Sequence, residues 1–279
     1  MRHIDPLSIS DAVRTAVQKI NTDIDPLILK AFKAGQSKGD EIESQVLDIL
    51  IKNADIAHEQ HLPLCQDTGL VVIFASVGIG VSLSEPLEAS IQRGVAQGYI
   101  EGYLRKSVVR DPLYDRKNTG DNTPALVYID LVEGDQMTLH IMAKGGGSEN
   151  ASALNMFTPS DQEEAIITWV VDRIRQKGRN TCPPLIIGLG IGGNFETCAL
   201  LAKKSLGRPI GQRNGNRSYA ELELKIMQAL NDLNIGAGGY GGHMTVMDVF
   251  IETAPCHIAS LPVALNIGCH STRHATVTL

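Results

Sequence analysis

Hydrophobic and polar positions follow two different periods along this chain, and the change comes near Pro63. Upstream, apolar residues recur every three or four positions. Val13, Val17 and Ile20 predict a helix over 8–20, and residues 25–34 predict a second. Ile42, Val46, Ile49, Leu50 and Ala54 mark one side of a third helix over 40–59. After Pro63 short apolar runs take over, the first being a buried strand at 70–75 entered directly from the polar turn CQDTG. Residues 86–105 predict a long helix, and DPLYDRKNTGDNTP at 111–124 is a loop of turn formers. The runs 125–132 and 137–143 predict two strands joined as a hairpin at Glu133-Gly134-Asp135. KGGGSENAS at 144–152 interrupts regular structure. Helices over 160–178, 194–206 and 218–233 and a strand over 184–189 follow, with IGAGGYGGHMTVMDVF passing through glycines into a further strand, and 263–267 and 275–279 read either as further strands or as the packed end of the core. There is no internal repeat and no long linker. These signals predict a mixed α/β (α+β) fold, with a helical N-terminal region of about 1–60 packed on a mixed-sheet core of about 61–279 in a single domain.

Composition narrows the function. The chain has 279 residues, 43% of them hydrophobic, enough for a sizeable core. A net charge of −6 supplies no basic stripe to neutralise phosphates, and 4% aromatic content supplies no base-stacking platform, so no nucleic-acid partner is expected. No apolar run approaches the roughly 20 residues needed to cross a bilayer, so no membrane partner is expected either. MRHIDPLSIS lacks a basic segment followed by an apolar one, which points to the cytoplasm. Five cysteines with no CxxC pair form neither a disulfide framework nor a zinc ribbon.

The candidate chemistry lies in three polar, glycine-rich loops that adjoin apolar segments. They carry Cys65 in LPLCQDTG, Cys182 in NTCPPLIIG and Cys269 in NIGCHSTRHA. A lone cysteine beside a strand is usually packing. Three in similar loops permit a shared site, assembled by the fold because the separations far exceed any local knuckle. Three thiolates can hold three irons of a four-iron cluster and leave the fourth open as a Lewis acid. A competing signal is GLGIGG, in which Gly188, Gly190 and Gly193 satisfy G-x-G-x-x-G between an apparent strand and helix. The acidic residue that a dinucleotide site wants about 20 positions on is missing from RPIGQRNGN, so an NAD-binding oxidoreductase is a remote alternative.

The segments LCQDTG, LRKSVVRDPLYDRKNTGDNTPA, MAKGGGSEN, CPPLIIGLGIGG and HIASLPVALNIGCHSTRHA, spread over 64–275, resemble the class I fumarases and L-tartrate dehydratases, iron–sulfur hydro-lyases. The resemblance implies that Cys65, Cys182 and Cys269 ligate a [4Fe-4S] cluster with one iron not ligated by protein. It implies that Gln66, Asp67, Arg105, Gly146 and His257 contact substrate, and that Asp67, Arg105 and His257 act in catalysis, Asp67 as acid or base. Arg105 would pair with a carboxylate and the Gly146 amide with an anion. Cys198 is expected to be packing, and Cys256 has no ligand role. His270 and His274 form an i, i+4 pair if their stretch is helical. The remaining catalytic groups of the family lie in a β domain that this sequence does not contain. It is therefore expected to be an α subunit that needs a β subunit, as α2β2. The expected reaction is fumarate plus water to (S)-malate, the alternative being L(+)-tartrate to oxaloacetate.

Overall fold

The computed structural model describes residues 1–279. In chain order the first elements are β1 (Arg2–His3), α1 (Pro6–Thr22), α2 (Pro26–Gln36), α3 (Glu41–Gln60), β2 (Leu70–Gly78), β3 (Val81–Ser82) and α4 (Leu87–Glu101). Then come β4 (Leu126–Val132), β5 (Met137–Lys144), the single turn α5 (Gly146–Glu149), β6 (Ala153–Phe157) and α6 (Glu163–Lys177). The last are β7 (Leu185–Gly192), α7 (Phe195–Ser205), α8 (Arg217–Asn231), β8 (Val246–Ala254), β9 (Leu261–Gly268) and β10 (Arg273–Thr278). The expected mixed α+β fold is what forms. No helix is long and apolar enough to cross a membrane.

The chain divides into two compact units, the first made of 1–25, 54–146 and 273–279, the second of 26–53 and 147–272. The first holds a four-stranded sheet in the order β10-β5-β2-β4. Val71, Ile73, Ala75 and Val77 of β2 and Leu139 and Ile141 of β5 line its core face, where they meet Ile9, Val13 and Val17 of α1 and Ile91 and Val95 of α4. The two helices approach closely because α4 carries glycines at the crossing. A Cβ on Gly94 would lie 2.4 Å from the Ser10 carbonyl oxygen, and one on Gly98 would lie 2.2 Å from Val17 Cγ2.

The second unit holds a sheet in the order β6-β9-β7-β8, with β7 parallel to β8 and antiparallel to β9. All eight β7 residues are buried, which explains a continuous apolar run instead of an alternating one. Ile166, Val170 and Ile174 of α6 and Leu222, Ile226 and Leu230 of α8 share a core with its Leu185, Ile187 and Leu189. Beside this core, Glu223 is fully buried between Arg208 and Arg213, at 2.8 and 3.4 Å, and also accepts from the Ile251 and Asn214 amides.

Three local expectations change. β4 and β5 both form, but not as a hairpin: β2 lies between them, parallel to β4 and antiparallel to β5. Residues 133–136 cross the end of β2 and bond to it, Gly78 N–H donating to Gln136 O and Gly80 N–H to Gly134 O. In α3, Ile42 and Ile49 are exposed, whereas Glu43, Leu47, Ala54 and Ala57 are buried. Glu43 turns inward because its carboxylate caps the Ala237, His243 and Met244 amides, a demand that apolar periodicity cannot register. The HSTRH segment is a turn followed by β10, so His270 and His274 do not share a helix face.

Candidate active site

The first unit gathers Asp67, Arg105 and Gly146. The CQDTG segment is a turn because Oδ1 of Asp67 accepts from the Gly69 amide at 2.9 Å, two residues on, and Gly69 has φ +81°. Oδ2 of the same carboxylate accepts from the Gly146 amide at 2.7 Å. The Gly146 N–H expected to meet an anion is therefore held by Asp67. The Thr68 hydroxyl donates to the Arg105 carbonyl at 2.7 Å, which ties the loop after α4 to the same turn and leaves the Arg105 residue exposed. Cys65 is half-buried and Gln66 exposed.

A buried polar layer lies under this turn. The Tyr99 hydroxyl is within hydrogen-bonding reach of the carbonyls of Thr68 at 2.6 Å and Gly69 at 3.1 Å, and burial pushes its pKa up to about 12. Asn122 is fully buried, with φ +65°; its side chain donates to Gly69 O and accepts from the Ser107 amide. Arg273, 4% exposed, donates to Asn21 Oδ1 at 2.9 Å, while its Nε has no partner. A Cβ placed on Gly145 would lie 3.3 Å from Asp67 Oδ2 and 3.7 Å from Arg273 Nη2, so both side chains flank that glycine. Neither Arg273 nor Asn122 was singled out from the sequence. The available signal was their place in the polar segments HSTRHA and NTGDNTP.

The second unit brings Cys182 and Cys269 to one end of its two central strands, β7 and β9. Cys182 closes a single 3₁₀ turn (Gly178–Thr181) with φ +56° just before β7, and Cys269 directly follows β9. Register explains their approach, since Ile186 near the start of β7 lies opposite Gly268 at the end of β9. The His270 amide donates to the Cys182 carbonyl at 3.1 Å. Cys182 is exposed and Cys269 half-buried, its Sγ 3.3 Å from the Ser271 hydroxyl.

The other cysteines behave differently. Cys198 is buried in α7, donates to the Phe195 carbonyl at 3.3 Å, and has its pKa raised by burial, which marks an inert packing thiol. Cys256 is exposed, with its Sγ on the Ser260 carbonyl. His257 is exposed and its Nδ1 accepts from the Ala259 amide at 3.1 Å. Within each unit, no three His, Cys, Asp or Glu side chains are grouped so as to hold a metal ion.

The glycines of GLGIGG have a packing explanation. Gly188 and Gly190 lie inside β7, where a Cβ would meet Ala202 O at 2.2 Å and Cys198 O at 2.0 Å in the backbone of α7. They let helix lie directly on strand. That accounts for their lack of side chains without a dinucleotide.

Comparison with known proteins identifies the family. The family described as fumarate hydratase (Fumerase) matches residues 10–278. A Methanocaldococcus jannaschii protein provisionally named L(+)-tartrate dehydratase subunit alpha is 39% identical over 279 residues, 96% of each chain. The L(+)-tartrate dehydratase subunit alpha of Escherichia coli O157:H7 is 34% identical over 230 residues, 82% of this chain and 76% of that one. Its counterpart in strain K12 is 33% identical over the same shares. With the family spanning almost the whole chain, this protein belongs to the fumarate hydratase family and is a hydro-lyase.

Proposed function

We propose that the chain is the α subunit of an L(+)-tartrate dehydratase, carrying a [4Fe-4S] cluster and completed by a β subunit. The observation that carries the site is the Asp67 carboxylate, held by two main-chain amides beside the Arg105 loop. The substrate rests on the relatives, whose names pair tartrate with the word subunit. Fumarate, the first expectation from the motifs, is the second reading because the family description names it. The proposed compartment is the cytoplasm.

Cys65, Cys182 and Cys269 are in no disulfide and are at least partly open to solvent, and soft thiolates are the donors that iron–sulfur clusters take. They fit the cluster, whereas buried Cys198 does not. When bound, the cluster supplies an iron that no protein side chain ligates, a Lewis acid that eases departure of hydroxide from carbon.

The chain's own residues do the rest. Arg105 presents a planar guanidinium that pairs a substrate carboxylate through two parallel N–H···O bonds. Gln66 and His257 offer polar groups to the substrate. Asp67 accepts the proton from the carbon next to a carboxylate. Its two amide donors hold the oxygens in place, so little reorganisation precedes transfer. The β subunit contributes the remaining cations that offset the carbanion-like charge.

The test is anaerobic reconstitution of the chain with its β subunit, followed by initial rates with L(+)-tartrate and with fumarate. About four irons per α chain, lost in Cys65→Ser, Cys182→Ser and Cys269→Ser but kept in Cys198→Ser and Cys256→Ser, is expected. Faster turnover of tartrate supports the first reading, and faster hydration of fumarate transfers it to the second. A loaded complex that turns over neither overturns both.

A further inference from the structure

The first unit buries a guanidinium beside a neutral partner. Arg273 is 4% exposed, and its Nη1–H donates to Asn21 Oδ1 at 2.9 Å while its Nε donates to nothing. A charge taken out of water in this way is costly unless an anion and a full set of acceptors compensate it. The second unit meets that demand in the usual manner, with Glu223 between Arg208 and Arg213. Asp67 flanks Gly145 together with Arg273, but its two oxygens are held by the Gly69 and Gly146 amides and neither bonds the guanidinium.

Register brings this cation to the end of the sheet where the first cysteine loop enters. Arg273 opens β10 opposite Ala143 of β5, and Ala143 in turn lies opposite Val71, the second residue of β2. Asn21 of α1 joins the two. It is fully buried, its carbonyl accepts from the Leu64 amide at 2.7 Å, and its side chain accepts from Arg273 and donates to Val17 O at 2.8 Å. One residue thus holds both the guanidinium and the chain entering Cys65. Arg273 also follows Cys269 by four residues in sequence.

We propose that Arg273 is a positioning residue for the cofactor, a cation held inside the first unit to offset the negative charge of a cluster bound by cysteine thiolates. Three thiolates outweigh the two positive charges of an oxidised four-iron core, so the loaded site is an anion. Charge and hydrogen bonds around such a cluster set its reduction potential, and a nearby cation favours the more reduced state. The inference rests on the [4Fe-4S] reading and adds to it a residue that ligates nothing. It gives one side chain opposite effects in two states. The guanidinium costs stability in the iron-free chain and contributes to retention of the cluster in the loaded one. An arginine kept for packing would stabilise both.

The test compares the full chain as wild type, Arg273→Met and Arg273→Lys, by thermal unfolding after iron removal and by iron retention against a chelator after anaerobic reconstitution. Arg273→Met, unbranched and apolar, is expected to raise the unfolding midpoint of the iron-free chain by about 2 °C or more. It should hold iron about 10- to 100-fold less tightly, the range for residues that support metal ligands without binding the metal. Its reduction potential should move to more negative values. Arg273→Lys keeps the charge and should hold iron more tightly than Arg273→Met. If Arg273→Met does not fold, Arg273→Gln, neutral and polar, decides by the same iron measurement. A lowered midpoint in Arg273→Met with iron held as in wild type would show a packing residue and overturn the inference, leaving the cluster reading intact. A wild type that takes up no iron would overturn both.

Discussion

The amide of Gly146 donates to Oδ2 of Asp67 at 2.7 Å, across 79 residues of sequence, while Oδ1 accepts from the Gly69 amide at 2.9 Å. Both oxygens of the carboxylate are thus held by main chain. An asparagine at this position could keep one of these contacts and would turn an NH2 group towards the other donor. Asp67→Asn is therefore expected to lower turnover by about 10²- to 10⁴-fold, the range for loss of a general base. Iron content should change little. Initial rates and iron analysis on the same preparation separate the two, and equal loss of both would mean that Asp67 is structural.

Gly190 tests the packing account of the GLGIGG run. A Cβ there would lie 2.0 Å from Cys198 O and 2.6 Å from Ala202 N, both backbone atoms of α7. The helix would have to lift off β7, so Gly190→Ala is expected to destabilise by about 1–3 kcal/mol or more. Gly215→Ala is the control, because nothing lies within 4 Å of that Cβ and the backbone is not left-handed. Urea unfolding of both variants reads the difference. Equal stabilities would remove the packing argument.

Glu223 is fully buried and accepts from the Ile251 and Asn214 amides as well as pairing with Arg208 and Arg213. Deleting the carboxylate leaves two amides short of an acceptor and two guanidinium groups, 14% and 25% exposed, short of one counter-charge. Glu223→Ala is expected to cost about 3–5 kcal/mol, and Glu223→Gln, which keeps the shape and an acceptor, clearly less. Chemical denaturation of the two variants checks the order. A neutral Glu223→Ala would show that the pair contributes nothing net.

His274 gives a pH dependence with a definite sign. Burial holds its imidazole below the ordinary histidine value, with Asp25 opposing the shift. The unfolded chain therefore takes up the proton first. This residue's contribution is fully present above about pH 6.5 and declines as pH falls towards the lower folded value. Below that value it levels off. His274→Gln should make unfolding free energy fall less steeply between pH 7 and 5 than in wild type. An unchanged slope would mean that the imidazole is not desolvated in the folded chain.

The legibility of this protein follows a physical boundary. The helices over 26–36 and 41–60 and the strands at β2, β7 and β9 were readable because burial of one face, or of both, imposes a period on neighbouring residues. The hairpin was misread because local turn chemistry at Glu133-Gly134-Asp135 cannot reveal that β2 takes the place between the two strands. Glu43 was overlooked for a similar reason, as its burial answers three amides nearly two hundred residues away.

By itself the sequence determined the α+β class and the family motifs, because propensity, periodicity and ordered motif residues are local properties of the chain. Tertiary structure alone decided that Asp67 closes on Gly146, that His270 reaches Cys182, and that β4 is left as an open edge. Those relationships are set by strand order and register, which depend on how distant segments bury one another's apolar faces and pair one another's main-chain groups.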